Sequence, residues 1–308
     1  MKIIKSVINF YNKLSNIGKL LVLTAFLLII IVLFKSFIPI KENFITDNKI
    51  LIKSNEAVYD DFYADIYDYL VYSNVKNDYE VGTIINSTSP NEASIIADIG
   101  CGTGHHVKSL SENNLKVIGI DKSPSMIEYA KSQFPEGNFQ VGDALDNGLF
   151  KMNSLTHILC LYFTIYFIKD KKHFFDNAMD WLMPGGFLII HLVDREHFDP
   201  ILPPGNPLYI VSPQKYAKER ITSTKVTFND FVYNANFNLD KENDTASFEE
   251  KFKFNDGRIR KQEQKLYMED TSTIVNIAQD CGFIIQAKVD MVQCAYEYQY
   301  LYVFVKPS

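Results

Sequence analysis

Through the middle of the chain, short apolar runs that stop at an acid or a glycine alternate with stretches of helical periodicity. Ser94 to Ile99 is the first such run, ending in Asp98 and then glycines, which predicts a buried parallel strand feeding a tight turn. His105 to Asn113 reads as a helix, and Lys116 to Ile120 as the next strand, closing on Asp121. Ser123-Pro124 then opens a helix to about Phe134, with Ser as N-cap and Pro at the first helical position. Asn138–Val141 and Leu155–Tyr162 follow as strands, and Asp170–Met183 as a long amphipathic helix. Pro184-Gly185-Gly186 breaks that helix before a fifth strand, Phe187–Val193. Repeated βα units of this spacing predict an α/β fold, a doubly wound Rossmann-like sheet with ligands at the carboxyl ends of its strands.

After Val193 the period changes. Pro200, Pro203, Pro204, Gly205 and Pro207 predict a loop, and Val226–Leu239, Ala246–Phe254 and Arg258–Met268 an antiparallel meander. Tyr233, Ala235, Phe237 and Leu239 alternate with polar residues, as one half-buried face requires. A helix over Thr271–Cys281, closed by Gly282, returns the chain to the α/β pattern, with Phe283–Val289 and Tyr298–Val305 as its last strands. The β-rich insertion thus covers 195–268 and falls on the substrate side.

The N-terminal pattern has no period at all. From Leu20 to Phe34 every residue except Thr24 is apolar, and with Lys19 and Lys35 snorkelling the segment reaches about 20 residues. A cleaved signal peptide would fit that length, but no small-x-small site follows. A buried core helix would show a polar side, which is missing here. We therefore expect a short leading segment (1–16), a single-pass transmembrane helix within 17–40, a polar linker over 41–54 and one catalytic domain over 55–308. Lys2, Lys5, Lys13 and Lys19 precede the span and Lys35, Lys41, Lys49 and Lys53 follow it, so the positive-inside rule ties.

Composition narrows the class. At 308 residues, 47% hydrophobic, with 23 Phe and 18 Tyr, the chain has ample material for a packed core. A formal charge of -6 argues against a nucleic-acid partner, because phosphate contacts need a basic face. The four cysteines (Cys101, Cys160, Cys281, Cys294) form no CxxC pair and have no histidine at ligand spacing, so no metal site is expected.

The chemistry concentrates where the strands end. Gly100, Gly102 and Gly104 follow the first strand directly and let the backbone approach a ligand closely. The dinucleotide fingerprint would put its third glycine at position 105, where this chain has His105, and no Gly-Lys-Ser/Thr of a P-loop follows. Asp121 closes the second strand, where it can accept hydrogen bonds from both hydroxyls of a ribose. Asp143 closes the third and could accept from an adenine amino group. Three acids in register (Asp98, Asp121, Asp143) at consecutive strand ends are hard to read as three solvated caps.

Ile96–Leu192 resembles the class I S-adenosylmethionine-dependent methyltransferases. Ala97-Asp98-Ile99-Gly100-Cys101-Gly102-Thr103-Gly104 looks like their first motif, and Ile118-Gly119-Ile120-Asp121-Lys122-Ser123 their second. Gly142-Asp143-Ala144 resembles the third, and Leu182-Met183-Pro184-Gly185-Gly186-Phe187 the loop before the fifth strand. The resemblance implies a seven-stranded sheet whose last strand is antiparallel, and S-adenosyl-L-methionine as cofactor. It further implies that Asp98 orders the glycine loop near the methionine amine, Asp121 holds the ribose, Asp143 and Ala144 contact adenine, and Met126 packs on its ring. Cys101, Lys122, Leu161 and Tyr67, in or beside these motifs, complete the expected donor set. His105-His106 departs from the small-then-apolar pair usual in the family.

Methyl transfer from a sulfonium needs alignment more than acid or base, since the donor is already activated. Val58–Tyr69 resembles the lid helix of small-molecule members, with Tyr59, Tyr63 and Tyr67 at i, i+4, i+8 on one helical face. Tyr162 and Tyr166 after the fourth strand, and His191 in the fifth, are the candidate catalytic residues, with His191 as the histidine best placed to act as a base. No Asn/Asp-Pro-Pro-Tyr tetrapeptide follows the fourth strand, where the chain reads Leu161-Tyr162-Phe163-Thr164. Asn206-Pro207-Leu208-Tyr209 lies too late to replace it. The sequence therefore predicts a membrane-anchored methyltransferase acting on a small-molecule or lipid-like acceptor, its domain facing a cytosol-like compartment. The alternative is an anchored S-adenosylmethionine-binding scaffold without turnover.

Overall fold

The computed structural model describes residues 50–200 and 219–308, together with Ser15, Gly18, Lys19 and Thr24. The chain forms two compact units, 1–48 and 49–308. In the first, the Lys19 N–H donates to the Ser15 carbonyl across one helical turn. The span expected within 17–40 lies outside the described residues, as does the proline loop from 201 to 218. Among the described residues no helix is long and apolar enough to cross a membrane.

The second unit is built on two sheets. In chain order its elements are β1 (Ile50–Ser54), α1 (Asp61–Val71), α2 (Asn74–Thr88), β2 (Ile95–Ile99), α3 (His105–Glu112), β3 (Lys116–Asp121) and α4 (Pro124–Gln133). Next come β4 (Asn138–Val141), β5 (Leu155–Cys160), the single turn α5 (Thr164–Phe167), α6 (Lys171–Trp181) and β6 (Leu182–Val193). The chain finishes with β7 (Ser223–Thr227), β8 (Phe231–Asp240), β9 (Thr245–Phe254), β10 (Ile259–Tyr267), α7 (Thr271–Asp280), β11 (Ile284–Asp290) and β12 (Gln299–Val305). Short polar side chains start the helices. Asp60, Ser73, Ser123, Asp170 and Asp270 each accept a backbone N–H from the first turn of α1, α2, α4, α6 and α7, as N-caps do.

The larger sheet has the order β11-β12-β6-β5-β2-β3-β4. Five consecutive strands, β6, β5, β2, β3 and β4, run parallel, and β12 runs antiparallel between β6 and β11. The chain leaves β2 first toward β3 and later returns to β5, so a switch point falls beside the carboxyl end of β2. Phe174, Phe175, Ala178 and Trp181 of α6 pack on one face of the sheet with Ile274 of α7. Val81 and Ile84 of α2, Val107 and Leu110 of α3 and Ile127 of α4 pack on the other.

Three boundaries differ from the sequence reading. The end of the expected linker is a strand: β1 pairs in parallel with β10, Ile50 opposite Ile259, as one edge of a five-stranded sheet ordered β1-β10-β9-β8-β7. The apolar run Ile50-Leu51-Ile52 at the end of the linker forms this edge through backbone pairing rather than burial, and Ile50 and Ile52 stay exposed. The run expected as one strand from Val226 is two, split where the Phe228 N–H turns back onto the Phe231 carbonyl. The predicted fifth strand also starts earlier, at Leu182, with a register shift against β5 that absorbs Pro184-Gly185-Gly186. The five-stranded sheet packs its inner face (Tyr233, Ala235, Phe252) against α1, closing a third apolar cluster with Val58, Ala64 and Met126.

Candidate functional site

A cavity of about 1080 Å³ lies at the carboxyl ends of β2, β3 and β4, between the large sheet, α1 and the five-stranded sheet. A smaller one of about 90 Å³ adjoins the glycine loop on its other side, and Tyr67, Gly100, Gly102 and Tyr162 line both.

The loop's shape is fixed by its own main chain. Gly100 and Cys101 donate their N–H groups to the Ile120 carbonyl, and Gly102 donates to Asp121 Oδ2 at 2.9 Å. At Gly100 (φ +72°) a Cβ would sit 2.5 Å from the Thr164 side chain, so both conformation and space demand glycine. Gly104 (φ +90°) lines neither cavity: it caps α3, and a Cβ there would meet the Phe139 ring at 2.7 Å. At Gly104, then, the missing side chain serves packing. Cys101 and Leu161 line the smaller cavity.

The three acids sit in three different environments. Asp98 is buried, and its Oδ2 has no partner although it stands at the smaller cavity. Burial pushes its carboxyl up to about 6, and nearby Glu80 and Asp121 add to the rise against the pull of His106. Asp121 accepts one N–H at each oxygen, from Ser123 and Gly102, which leaves a lone pair on each for a pair of neighbouring hydroxyls. Burial raises its pKa against those backbone bonds. Asp143 accepts from the Leu145 N–H and pairs with Lys122 at 3.0 Å, and these outweigh burial to lower its pKa. Lys122 also pairs with Glu56, which ties the cavity rim to the segment before α1. Between the acids, Ile99, Ile120, Met126, Ala144 and Leu145 form an apolar slot. An uncompensated buried carboxylate, a free pair of acceptor sites and a flat apolar slot fit a ligand with a cationic head, a vicinal diol and a heteroaromatic ring.

Beside Asp98 stands a charged cluster of a different kind. Glu80 is fully buried yet held down to about 2: burial opposes ionisation, but Lys76 at 2.6 Å and His106 at 2.9 Å overcome it. His105, the departure from the usual glycine pattern, docks α1 onto the loop. Its Nε2 lies 2.7 Å from Asp68, its ring stacks on Tyr72 at 3.6 Å, and Thr103 donates to the same carboxylate.

Of the three candidate catalytic residues only Tyr162 lines the cavity. It takes up φ +51°, a left-handed conformation costing an aromatic residue about 1 kcal/mol or more, and His191 Nδ1 at 2.8 Å holds its carbonyl. Lys76 Nζ lies 4.8 Å from the centre of its ring. His191 itself is fully buried and reaches neither cavity, and burial lowers its pKa to about 4. So placed, His191 supports the Tyr162 backbone and is not brought to either cavity, where a base would act. Tyr166 is likewise in the core, where its hydroxyl accepts the Val193 N–H at 2.8 Å. Strand-end position on β5 and β6 placed these residues near the site, but only the turn after Cys160 decides which of them face it.

Tyr59, Tyr63 and Tyr67 all line the cavity, their ring centres 5.6–6.5 Å apart, although Tyr59 precedes α1 rather than belonging to it. What the sequence reading missed is the polar layer behind them. Glu250 of β9 is buried and accepts from Tyr63, Tyr233, Gln262 and Gln264. Arg260 is 2% exposed, bonds both oxygens of Asp60 and the Val58 carbonyl, and stands over the Phe62 ring. The available signal was Arg260, Gln262 and Gln264 alternating along one strand whose other face is also polar. Among the described residues no cluster of His, Cys, Asp and Glu could hold a metal ion.

Residues 96–186 match a family profile described as a methyltransferase domain. The chain is 32% identical over 142 residues to a dTDP-4-amino-2,3,4,6-tetradeoxy-D-glucose N,N-dimethyltransferase of Saccharopolyspora spinosa, covering 44% of this chain and 55% of that protein. It is 25% identical over 141 residues to a dTDP-3-amino-3,4,6-trideoxy-alpha-D-glucopyranose N,N-dimethyltransferase of Streptomyces venezuelae, covering 43% and 58%. The chain therefore spans about half the length of the curated relatives it matches. A crystal structure of an S-adenosylmethionine-dependent methyltransferase from Clostridium acetobutylicum shares the fold, with a TM-score of 0.62 at 17% identity over 80% of this chain and 98% of that one.

Proposed function

Because this chain carries a class I S-adenosylmethionine-dependent methyltransferase domain, we propose that it moves the donor's methyl group onto the amine of a small polar acceptor. One observation carries the reading: Asp121, Asp143 and the apolar slot occupy only one end of a 1080 Å³ cavity, with Asp98 at the smaller cavity beside the shared glycine loop, and the other end is walled by tyrosines. A site that held the donor alone would need no such room, since pockets for single small ligands run from about 300 to 1,000 Å³. The two relatives named above act on amino sugars, which supports an amine.

In this reading Asp98 binds the methionine ammonium, and Asp121 accepts from the ribose hydroxyls. Asp143 and Ala144 meet the adenine edge, and Met126 packs on the ring. Bound there, the donor supplies a methyl group already activated on a sulfonium, so the protein's work is alignment and exclusion of water. Tyr67 and Tyr162, which border both cavities, stand where the donor end meets the acceptor end. At the mouth, Lys169 and Lys265 lie 6.0 and 5.5 Å from the centre of the Tyr267 ring. They suit an anionic handle on the outer part of the acceptor.

The apolar run from Leu20 to Phe34 supports a further part of the proposal, a single-pass tether that holds the domain on the cytosol-like side of a membrane, where the donor is made. Carbonate-resistant sedimentation of the full chain, lost when 17–40 is deleted, is the expected result. The enzymatic reading is tested by calorimetry with S-adenosylmethionine, followed by incubation with labelled donor and a panel of amino sugars and small amines. Saturable binding and a labelled amine are expected. No binding, or binding with no product from the panel or from host extract, would sink the reading and leave a scaffold.

A further inference from the structure

Behind the tyrosine wall the direction of every hydrogen bond can be followed. Arg260 Nε donates to Gln262 Oε1 at 2.6 Å, so the Gln262 amide nitrogen is turned toward Glu250 and donates at 2.6 Å. Gln264 accepts the Tyr59 hydroxyl at 2.8 Å and donates its own amide hydrogen to Glu250 at 3.3 Å. Tyr63 and Tyr233 donate to the two oxygens of the same carboxylate at 2.9 and 2.7 Å. Gln262 lies directly opposite Glu250 in the ladder, and Tyr233 one strand over, so sheet register sets the arrangement. Three of these donors fall on Glu250 Oε2 and one on Oε1; burial raises the pKa of the carboxyl, and the four hydrogen bonds oppose that rise by favouring its ionised form.

The consequence falls on the cavity. A phenol has one hydrogen, and those of Tyr59, Tyr63 and Tyr233 are all spent on this network. All three rings line the large cavity, so their oxygens can offer a ligand lone pairs but no hydrogen. Among themselves these three phenols can accept from N–H groups but offer no hydrogen to a nitrogen lone pair or a carboxylate. Resting on the amine reading above, we infer that Glu250 is a specificity-determining positioning residue: it holds Tyr63 and Tyr233 as obligate acceptors, so that an acceptor amine binds through its N–H groups with its lone pair left free for the methyl. Glu250 does not itself line the cavity and acts through the two phenols.

The test uses the full-length protein loaded with S-adenosylhomocysteine, and titrates glucosamine, glucose and glucuronate as probes that differ in one group. Wild type is expected to bind the amine at least tenfold more tightly than the carboxylate, with the hydroxyl between. Glu250→Gln leaves the shape but puts a donor where the acceptor was, freeing phenol hydrogens. The amine-to-carboxylate ratio should fall to within twofold while the affinity for the donor product stays within twofold. Tyr233→Phe, which keeps the carboxylate and removes one oxygen, should lower the ratio about threefold, and its effect should vanish in the Glu250→Gln background. Equal loss for all three probes, or an unchanged ratio in either variant, would show a merely structural role and overturn the inference. A wild type with no preference among the probes overturns it too. Preference for the amine without any methylated product would instead count against the enzymatic reading and leave the role of Glu250 in recognition standing.

Discussion

The two ends of the large cavity are made by different means. In the proposed reading the donor end is mostly main chain: the glycine loop, the Ile120 carbonyl that holds it, and strand-end acids of which Asp121 bonds the loop through the Gly102 N–H. The proposed acceptor end is nearly all side chain, with phenols and amides on a buried carboxylate bonded to one another within the five-stranded sheet and from it to α1 and Tyr59. A main-chain site is rigid and tolerates change at the surface, but forgives no added atom. A side-chain site can be retuned by single substitutions, which suits the half that must match a particular acceptor while the donor stays constant.

If that contrast is right, substitutions in the two halves should separate cleanly in what they damage. The largest effect is expected for Asp121→Ala, which removes the diol acceptor and the partner of the Gly102 N–H. Two charge-assisted hydrogen bonds are worth about 3 kcal/mol, so donor affinity should fall on the order of a hundredfold by calorimetry. Acceptor preference should be untouched. A loss of acceptor preference with normal donor affinity would break the division.

Arg260→Ala should act the other way. It leaves the Gln262 carbonyl without its donor and Asp60 with Lys53 at 3.3 Å as its remaining cation. Because Asp60 is 30% exposed and keeps that partner, the cost should fall below that of a fully broken buried pair, at about 2 kcal/mol. Chemical denaturation should show this loss of stability, while donor affinity measured well below the melting point stays close to wild type.

A smaller effect, of about tenfold, is expected from pH. The charged form of Asp98 is the one that binds an ammonium, and its pKa is raised to about 6, so donor affinity should be full above pH 7 and fall as pH drops through 6. By proton linkage a twofold loss is expected near pH 6 and about tenfold at pH 5. Calorimetry across pH 5–8 reads it directly, and Asp98→Asn should flatten the profile at uniformly weak binding. The smallest effect is expected for His191→Gln. Its role is to hold the Tyr162 backbone, so turnover should drop by roughly threefold, the value of about one net hydrogen bond or less. The acid limb of the rate profile should not move. Disappearance of that limb would restore His191 as a base.

Much of the donor half was legible from the chain alone, and for a physical reason. Its parts are local: an apolar run, a following glycine, an acid at the strand end and a Ser-Pro cap are neighbours in sequence, and the βα repeat carries them to one edge of the sheet. Asp98, Asp121, Asp143, Ala144 and Met126 all line one of the two cavities. A glycine that packs against Phe139, as Gly104 does, has the same sequence signature as one needed for a ligand. Tyr166 and His191 lie away from the cavities, and alternation along a strand gives two faces without saying which one a site uses. The strand at Ile50–Ser54 is too short a run, Ile50-Leu51-Ile52, to reveal its pairing with a distant edge.

The sequence by itself determined the order of strands and helices, the glycine turn and the acids beside it, because each depends on residues within one or two turns of one another. Only the tertiary structure decided that Tyr63 meets Glu250 across 187 residues and that Asp60 meets Arg260 across 200, the contacts on which the proposed acceptor wall rests. Those hydrogen bonds are set by sheet register and by the docking of α1, and no local pattern of residues encodes either one.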